Sequence, residues 1–187
     1  MTSPNIRDIL AADLSRYSKR KYSFAAFLMY FYVQVIPGLK YTIIFRYCQY
    51  YRKRNRFLFY FFFLWLRRLK HKYGFDISYR TTIGKGLYIG HFGGIVIHGD
   101  AEIGEYCNLS QGMTIGVLVR GNKVGIPKIG DRVFIGPGAV ILGGITVGND
   151  VLIGANAIVT FDVADKSVLA APLATVISEK GSEGYVF

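Results

Sequence analysis

Two side chains of the sequence have the types and the spacing of a proton-transfer pair. His91 lies in the segment YIGHFGGIVIHGD, where glycines leave space around the imidazole. An imidazole titrates near neutral pH and can remove a proton from a hydroxyl, a step typically worth about 10²- to 10⁴-fold in rate. Asp76 stands 15 residues earlier and is a candidate for the carboxylate that orients the ring and stabilises its cation. The alternative is that Asp76 is a solvated residue.

Aliphatic residues recur at every sixth position from about residue 76 to residue 165. This period matches neither the 3.6-residue period of a helix nor the two-residue period of a strand. It is typical of a solenoid in which six residues form one side, so that three sides close a triangular coil of about 18. Small residues and glycines between these positions suit its sharp corners. The repeat positions are Ile77, Ile83, Ile89 and Ile95, then Ile97, Ile103, Leu109 and Ile115, then Ile129, Ile135, Ile141, Val147, Ile153 and Val159.

An interruption of the repeat predicts a loop at residues 117–127. Ile115 and Ile129 are 14 residues apart, which is two repeats plus two residues. Loops that a rigid scaffold displays often have functional roles. We therefore expect a helical segment at 1–75, a coil domain at 76–177 with an exposed loop, and a tail at 178–187.

The positive charge of the chain belongs to its N-terminal part. The net charge is +11, and residues 1–75 hold 15 Lys and Arg against two acids, whereas residues 76–187 hold 8 against 10. Aromatic runs at 24–36 and 57–66 are each shorter than the roughly 20 apolar residues that cross a bilayer. Pro37 predicts a helix break, and Gly74 predicts a helix end.

Basic clusters on both sides of the second aromatic run favour binding to an anionic membrane surface. The alternatives are a helical bundle that packs on the coil and a nucleic-acid surface, for which no motif is present. Nucleic acid is therefore not expected. Cys48 and Cys107 lie in different segments, so a disulfide framework is not expected. Because no signal-peptide pattern is present, we expect the protein in the cytoplasm, either free or bound peripherally to the inner face of the cell membrane.

Two long segments resemble a known family. FDISYRTTIGKGLYIGHFGGIVIHGDAEIGEYCNLSQGMTIG, followed by IPKIGDRVFIGPGAVILGGITVGNDVLIGANAIV, resembles the serine O-acetyltransferase branch of the hexapeptide-repeat acyltransferases, from Asp76 to about Ala174. The resemblance implies a mainly β fold, a left-handed parallel β-helix, preceded here by an N-terminal α-helical segment. It also implies a homotrimer with active sites between neighbouring coils. In that branch a histidine is the general base and an aspartate 15 residues before it completes the dyad, which are the positions of His91 and Asp76.

The resemblance further implies acetyl-CoA as the donor and no metal. Backbone groups near a TLGG motif and the second residues of later repeats contact the pantetheine arm in such enzymes. These positions correspond to Gly116, Val117, Pro137 and Ala155, with Val117 in place of a glycine. Backbone N–H groups near Gly116 are candidates for stabilising the oxyanion.

The sequence departs from serine acetyltransferases where the acceptor binds. They have an aspartate immediately before the base, where this chain has Gly90, and an Arg-His pair where it has Gly125 and Ile126. Without these groups a zwitterionic amino acid loses its partners, so we expect a neutral hydroxyl acceptor. The expected acceptor-binding residues are Gly90, His98 and Gln111, although His98 beside a glycine corner is more simply an exposed residue.

We expect O-acetylation of a sugar hydroxyl in a surface polysaccharide or its precursor, similar to capsular and colanic-acid-type O-acetyltransferases. The first alternative is a serine O-acetyltransferase with an altered acceptor site. A carbonic-anhydrase-like zinc coil requires three convergent histidines, but His71 lies outside the repeat. The last alternative is a non-enzymatic trimer that displays membrane-binding helices.

Overall fold

The computed structural model describes residues 5–17, 36–179 and 181–182. Within these ranges three helices precede the coil: α1 (Ile6–Ser15), α2 (Pro37–Tyr51) and α3 (Arg56–Tyr73). Most of the aromatic run expected at 24–36 lies outside the described residues, as do residues 180 and 183–187 of the expected tail.

The helix ends follow the capping residues of the sequence. The Asn55 side chain accepts a hydrogen bond of 3.0 Å from the backbone N–H of Leu58, which satisfies one free donor at the start of α3. Pro37 occupies the first turn of α2, where a missing N–H costs nothing. Gly74 adopts a left-handed conformation, φ 67°, and turns the chain from α3 directly into the first strand.

Short strands build a coil with three parallel sheets in the described residues. The first sheet has the order β1-β4-β7-β10-β13, the second β11-β8-β5-β2 and the third β14-β12-β9-β6-β3. The strands are β1 (Phe75–Ile77), β2 (Thr82–Ile83), β3 (Tyr88–Ile89), β4 (Ile95–Ile97), β5 (Glu102–Ile103), β6 (Asn108–Leu109), β7 (Thr114–Gly116), β8 (Lys128–Ile129), β9 (Phe134–Ile135), β10 (Val140–Leu142), β11 (Thr146–Val147), β12 (Leu152–Ile153), β13 (Ile158–Val159) and β14 (Val168–Leu169).

The strand register gives the length of each coil. Val140 pairs with Ile158, an 18-residue step, whereas Phe75 pairs with Ile95, a step of 20. Thr114 pairs with Val140, a step of 26. The eight extra residues lie in the expected loop, which closes through an antiparallel bridge between Leu118 and Gly125.

The inward-facing repeat residues form ladders through the coil. One ladder consists of Ile77, Ile97, Ile115, Ile141 and Val159, all of them buried. Burying such a side chain contributes about 1.5–3 kcal/mol, so the stacked aliphatic positions are the main source of cohesion between coils. The prediction of a parallel β-solenoid preceded by α-helices is confirmed.

A buried ion pair fixes α1 and α2 to the coil. The Arg46 Nε lies 2.8 Å from the Asp13 Oδ2, and the two side chains are 3% and 0% exposed. Arg46 also donates to the carbonyl oxygens of Ile83 and Gly84, each at 2.6 Å. Asp13 accepts a further hydrogen bond of 2.8 Å from the backbone N–H of Leu87. Each of the two charges is therefore compensated by the other charge and also by backbone groups of the coil.

One side of α3 packs on the rest of the protein, and the other side is exposed. Leu66, Leu69 and Tyr73 are its buried residues. In the described ranges, no helix combines the length and the apolarity that crossing a membrane would require.

Candidate active site

His91 lies at one edge of the triangular coil, where the chain passes from the third sheet to the first. We call this the His91 edge, formed by residues 90–94, 110–113, 136–139 and 154–157 of successive turns. Hydrogen bonds join these turns: the Gly112 N–H donates to Gly93 O at 3.0 Å, and the Gly138 N–H donates to Gln111 O at 3.0 Å. The edge is therefore a regular backbone ladder from which side chains project.

A cleft of about 310 Å³ opens beside His91 on this edge. It spans three successive coils, so residues distant in sequence share one surface. The lining residues are Tyr88, Gly90, His91, Asn108, Leu109, Ser110, Gln111, Phe134 and Pro137. The cleft thus joins an imidazole with hydroxyl and amide groups, which suits a small polar ligand.

The turn that contains His91 depends on glycine. Gly93 and Gly94 have φ values of +103° and +66°, which side chains rarely adopt. A Cβ on Gly94 would also lie 3.2 Å from the Gly112 Cα in the next coil. These two residues let the chain turn tightly after the imidazole, which is left exposed to solvent.

Asp76 pairs with a lysine of α3. It lies on β1, in register with Val96 of the next coil, and its carboxylate forms an ion pair with Lys70. The Asp76 side chain is 60% exposed. Within the described residues no hydrogen bond joins Asp76 to His91, so the dyad stays a prediction.

Gln111 contributes a buried acceptor with no partner. Its Oε1 is shielded from solvent and accepts no hydrogen bond from any described residue. Leaving a buried acceptor unsatisfied costs about 1–3 kcal/mol. Because Gln111 also lines the cleft, a ligand donor placed there would recover that energy.

The ring of Tyr88 borders the open space beside Gly90. A Cβ added at Gly90 would lie 3.1 Å from Tyr88 Cε1 and 3.4 Å from the Tyr88 hydroxyl. A side chain at this position would have to displace the ring by a few tenths of an ångström. The phenol thus borders the space into which a side chain at position 90 would project.

The other predicted site residues divide between two edges. Pro137 and Ala155 lie on the His91 edge, Pro137 within the cleft. Gly116, Val117 and His98 lie at the edge between the first and second sheets. The His98 Nδ1 accepts a hydrogen bond of 3.2 Å from the Asp100 N–H and stabilises that corner. A single chain therefore does not bring these three residues to His91.

Several cleft residues were missed by the sequence analysis. Tyr88, Asn108 and Phe134 occupy equivalent outward positions of β3, β6 and β9, each immediately before a buried repeat residue. Their register was available from the repeat and could have identified them. Arg16 of the N-terminal segment had no such signal: it donates to Asn108 Oδ1, and its guanidinium lies 6.0 Å from the Tyr88 ring centroid.

The cysteines are buried thiols rather than nucleophiles. Burial raises the pKa of Cys48 and of Cys107 to about 11, so both are protonated at neutral pH. The described residues contain no group of three or more His, Cys, Asp or Glu side chains placed to hold a metal ion.

Comparison with known proteins shows which proteins the coil is similar to. The model for the bacterial transferase hexapeptide (six repeats) matches residues 126–160. This part of the coil is therefore similar to the hexapeptide repeats of bacterial transferases. A serine acetyltransferase of Helicobacter pylori is 39% identical over 106 residues, which are 57% of this chain and 62% of that protein. One from Mycobacterium tuberculosis is 39% identical over 108 residues, 57% of this chain and 46% of that protein. The chain thus spans less than two thirds of either relative.

Solved structures of serine acetyltransferases share the fold of this chain. Serine acetyltransferase isoform 3 of Entamoeba histolytica, in complex with cysteine, has a TM-score of 0.70 at 27% identity, covering 95% of this chain and 63% of that one. The Neisseria gonorrhoeae enzyme in complex with serine gives 0.70 at 28% identity, covering 91% and 68%. The expected left-handed β-helix with an N-terminal helical segment is confirmed. These relatives are all serine acetyltransferases, so the comparisons favour that branch over the capsular type, for which they give no support.

Proposed function

We propose that the chain is an acetyl-CoA-dependent O-acetyltransferase with His91 as its general base. The observation that supports this most directly is the cleft itself, which places an imidazole beside an unpartnered amide oxygen on the edge of a hexapeptide coil. The serine acetyltransferase relatives indicate the class of reaction, which is acetyl transfer to a hydroxyl.

In the proposed reaction, the His91 imidazole takes the proton of the acceptor hydroxyl. The acceptor oxygen attacks the thioester carbonyl carbon of acetyl-CoA, and the carbon–sulfur bond then breaks. The imidazolium returns its proton to the departing sulfur, so the products are the O-acetyl ester and free CoA. Donors aimed at the developing oxyanion would lower the barrier further.

Asp76 would support His91 after exchanging its partner. Its present ion pair with Lys70 joins side chains that are 60% and 36% exposed. Exposed pairs contribute about 0–1 kcal/mol, so releasing Asp76 costs little. The carboxylate is then available to orient the imidazole and to stabilise its cation during transfer.

Serine is the acceptor that the relatives favour, in place of the sugar expected from sequence. The complexes with serine and with cysteine belong to those relatives and suggest an amino-acid acceptor for this cleft. A neutral hydroxyl acceptor remains the second candidate, because Gly90 lacks the carboxylate of serine acetyltransferases and Tyr88 borders that space.

A homotrimer would complete the donor site. Gly116 and Val117 lie on a different edge of the coil from His91. Three coils packed side by side would bring that edge of one copy to the His91 edge of the next. The proposed pantetheine site would then combine Pro137 and Ala155 of one copy with Gly116 and Val117 of its neighbour.

The test is CoA release from acetyl-CoA by the full chain, with L-serine or with neutral methyl glycosides as acceptor. Turnover should require an acceptor, and His91→Ala should lower kcat by about 10²- to 10⁴-fold. His71→Ala removes an imidazole from α3, outside the cleft, and should match the wild type. Full turnover by His91→Ala, or no transfer to either acceptor class, would contradict the proposal.

A further variant separates the two acceptors. Gly90→Asp supplies the missing carboxylate, and its Cβ requires only a small shift of Tyr88. If serine binds in this cleft, kcat/KM for serine should rise while KM for acetyl-CoA stays constant. A gain for the glycosides alone would favour the second candidate.

A further inference from the structure

The outward side of α3 exposes a stripe of large apolar residues. Phe57 is 79% exposed, Phe61 52% and Leu64 61%, and Tyr60 accompanies them. Positions spaced by three, four and seven residues lie on one side of a helix with 3.6 residues per turn. The opposite side packs on α2 and the coil, with Leu66, Leu69 and Tyr73 buried and Phe62 stacked on Tyr51.

The same stripe continues into a cluster of cations. Arg67, Arg68 and Lys72 follow Leu64 by three, four and eight positions and are exposed. Together with Leu64 and His71 they line a groove of about 540 Å³. We call Phe57, Tyr60, Phe61, Leu64, Arg67, Arg68, His71 and Lys72 the outer face of α3.

The cations of this face are not neutralised within the described residues. Arg67, Arg68 and Lys72 take part in no ion pair there, whereas Lys70, on the inner side, pairs with Asp76. The sequence contains no Asp or Glu between Asp13 and Asp76. The segment between Asp13 and Asp76, which contains α3, therefore offers no carboxylate to this face.

The charge determines which partner fits. Two copies of the chain meeting through this face would bring cations against cations. The coil is an equally poor counterpart, because residues 76–187 hold almost balanced charge, 8 Lys and Arg against 10 acids. A surface of anionic lipid presents phosphates to the cations and acyl chains to the aromatic rings, which matches an amphipathic helix that lies in the interface plane.

We propose that the outer face of α3 binds the surface of an anionic membrane. Phe57, Phe61 and Leu64 enter the headgroup region, while Arg67, Arg68 and Lys72 contact lipid phosphates. This inference is independent of the proposed acetyl transfer. It holds the protein at a membrane surface without requiring any helix to cross it.

The test is flotation of the purified full chain with vesicles of phosphatidylcholine, alone or mixed with phosphatidylglycerol. The wild type should bind the mixed vesicles and bind phosphatidylcholine far more weakly. Each cation near an anionic surface strengthens binding by about fivefold, so Arg67→Gln/Arg68→Gln/Lys72→Gln should weaken binding by roughly 100-fold. Phe57→Ser/Phe61→Ser/Leu64→Ser should remove the part of the binding that survives about 1 M salt.

A matched control removes the same charge from the coil. Arg80→Gln/Lys85→Gln/Lys128→Gln changes three exposed or half-exposed cations that form surface ion pairs with Asp100, Glu105 and Glu102. This variant should bind within about threefold of the wild type, apart from the weak long-range effect of net charge. Circular dichroism should confirm that all three variants are folded.

Three outcomes would overturn the proposal. One is equal binding of the wild type to both vesicle types. Another is an equal loss of binding in the α3 and the coil charge variants, which would make net charge the cause. The third is a change of oligomeric state in the α3 variants with vesicle binding intact, which would assign the face to contact between copies.

Discussion

Removing the buried carboxylate of Asp13 should strongly destabilise the docking of the helical segment on the coil. In Asp13→Ala the Arg46 guanidinium loses hydrogen bonds of 2.8 and 3.3 Å and keeps only carbonyl partners. The Leu87 N–H loses its 2.8 Å acceptor as well. Breaking a buried ion pair by removing one partner costs about 3–5 kcal/mol, because the remaining buried charge has no counter-charge. For a chain of this size the melting temperature should fall by roughly 6–20 °C.

Thermal and urea unfolding, followed by circular dichroism, measure this loss. The matched control is Asp100→Ala, which breaks the exposed 2.7 Å pair with Arg80 on the coil. An exposed pair contributes about 0–1 kcal/mol, so this variant should stay close to the wild type. Equal losses in the two variants would refute the argument that burial makes the Asp13–Arg46 pair important.

A double variant separates the charge from the packing. Asp13→Leu with Arg46→Met removes both charges and keeps most of the buried volume. It should be more stable than Asp13→Ala but less stable than the wild type, because the carbonyls of Ile83 and Gly84 lose their donors. A double variant less stable than Asp13→Ala would contradict the charge argument.

Three further predictions follow from close contacts and burial. Gly38→Ala should strongly destabilise the docking of α2, because its Cβ would lie 2.1 Å from the Ile89 carbonyl oxygen; limited proteolysis of the helical segment measures this. Cys48 and Cys107 should react with a thiol reagent at pH 8 only after unfolding, because burial raises their pKa to about 11. The stability should therefore fall as the pH rises from about 8.5 towards 11, since the unfolded thiols ionise first. Gln111→Leu should raise the acceptor KM about tenfold without loss of stability, as it removes the unpartnered Oε1 from the cleft; an unchanged acceptor KM would show that no ligand donor binds there.

The repeat could be predicted from the sequence because its signal is local and recurs many times. Each aliphatic position faces inward, and a step of one coil brings it onto its equivalent, as Ile141 lies on Ile115. Gly74 predicted the end of the last helix because only a left-handed residue turns the chain there. The loop was also visible, since extra residues that break the period must leave the coil.

The composition of the cleft could be predicted only in part. His91, Gly90, Gln111 and Pro137 were singled out and lie together on one edge. His98 and Gly116 were grouped with them, although they lie on another edge of the triangle. The edge that a residue occupies follows from counting the sides of the coil from the first strand. The breaks in the repeat obscured this count.

The sequence by itself determined the coil, its inward residues and the imidazole that it displays, because a six-residue period constrains every turn in the same way. Only the tertiary structure decided what surrounds that imidazole. The pairing of Asp76 with Lys70 joins the first strand to the helix that precedes it, and the approach of Arg16 to Asn108 joins the coil to a segment 92 residues away in sequence. No periodic pattern encodes such contacts, because they depend on where the helices dock.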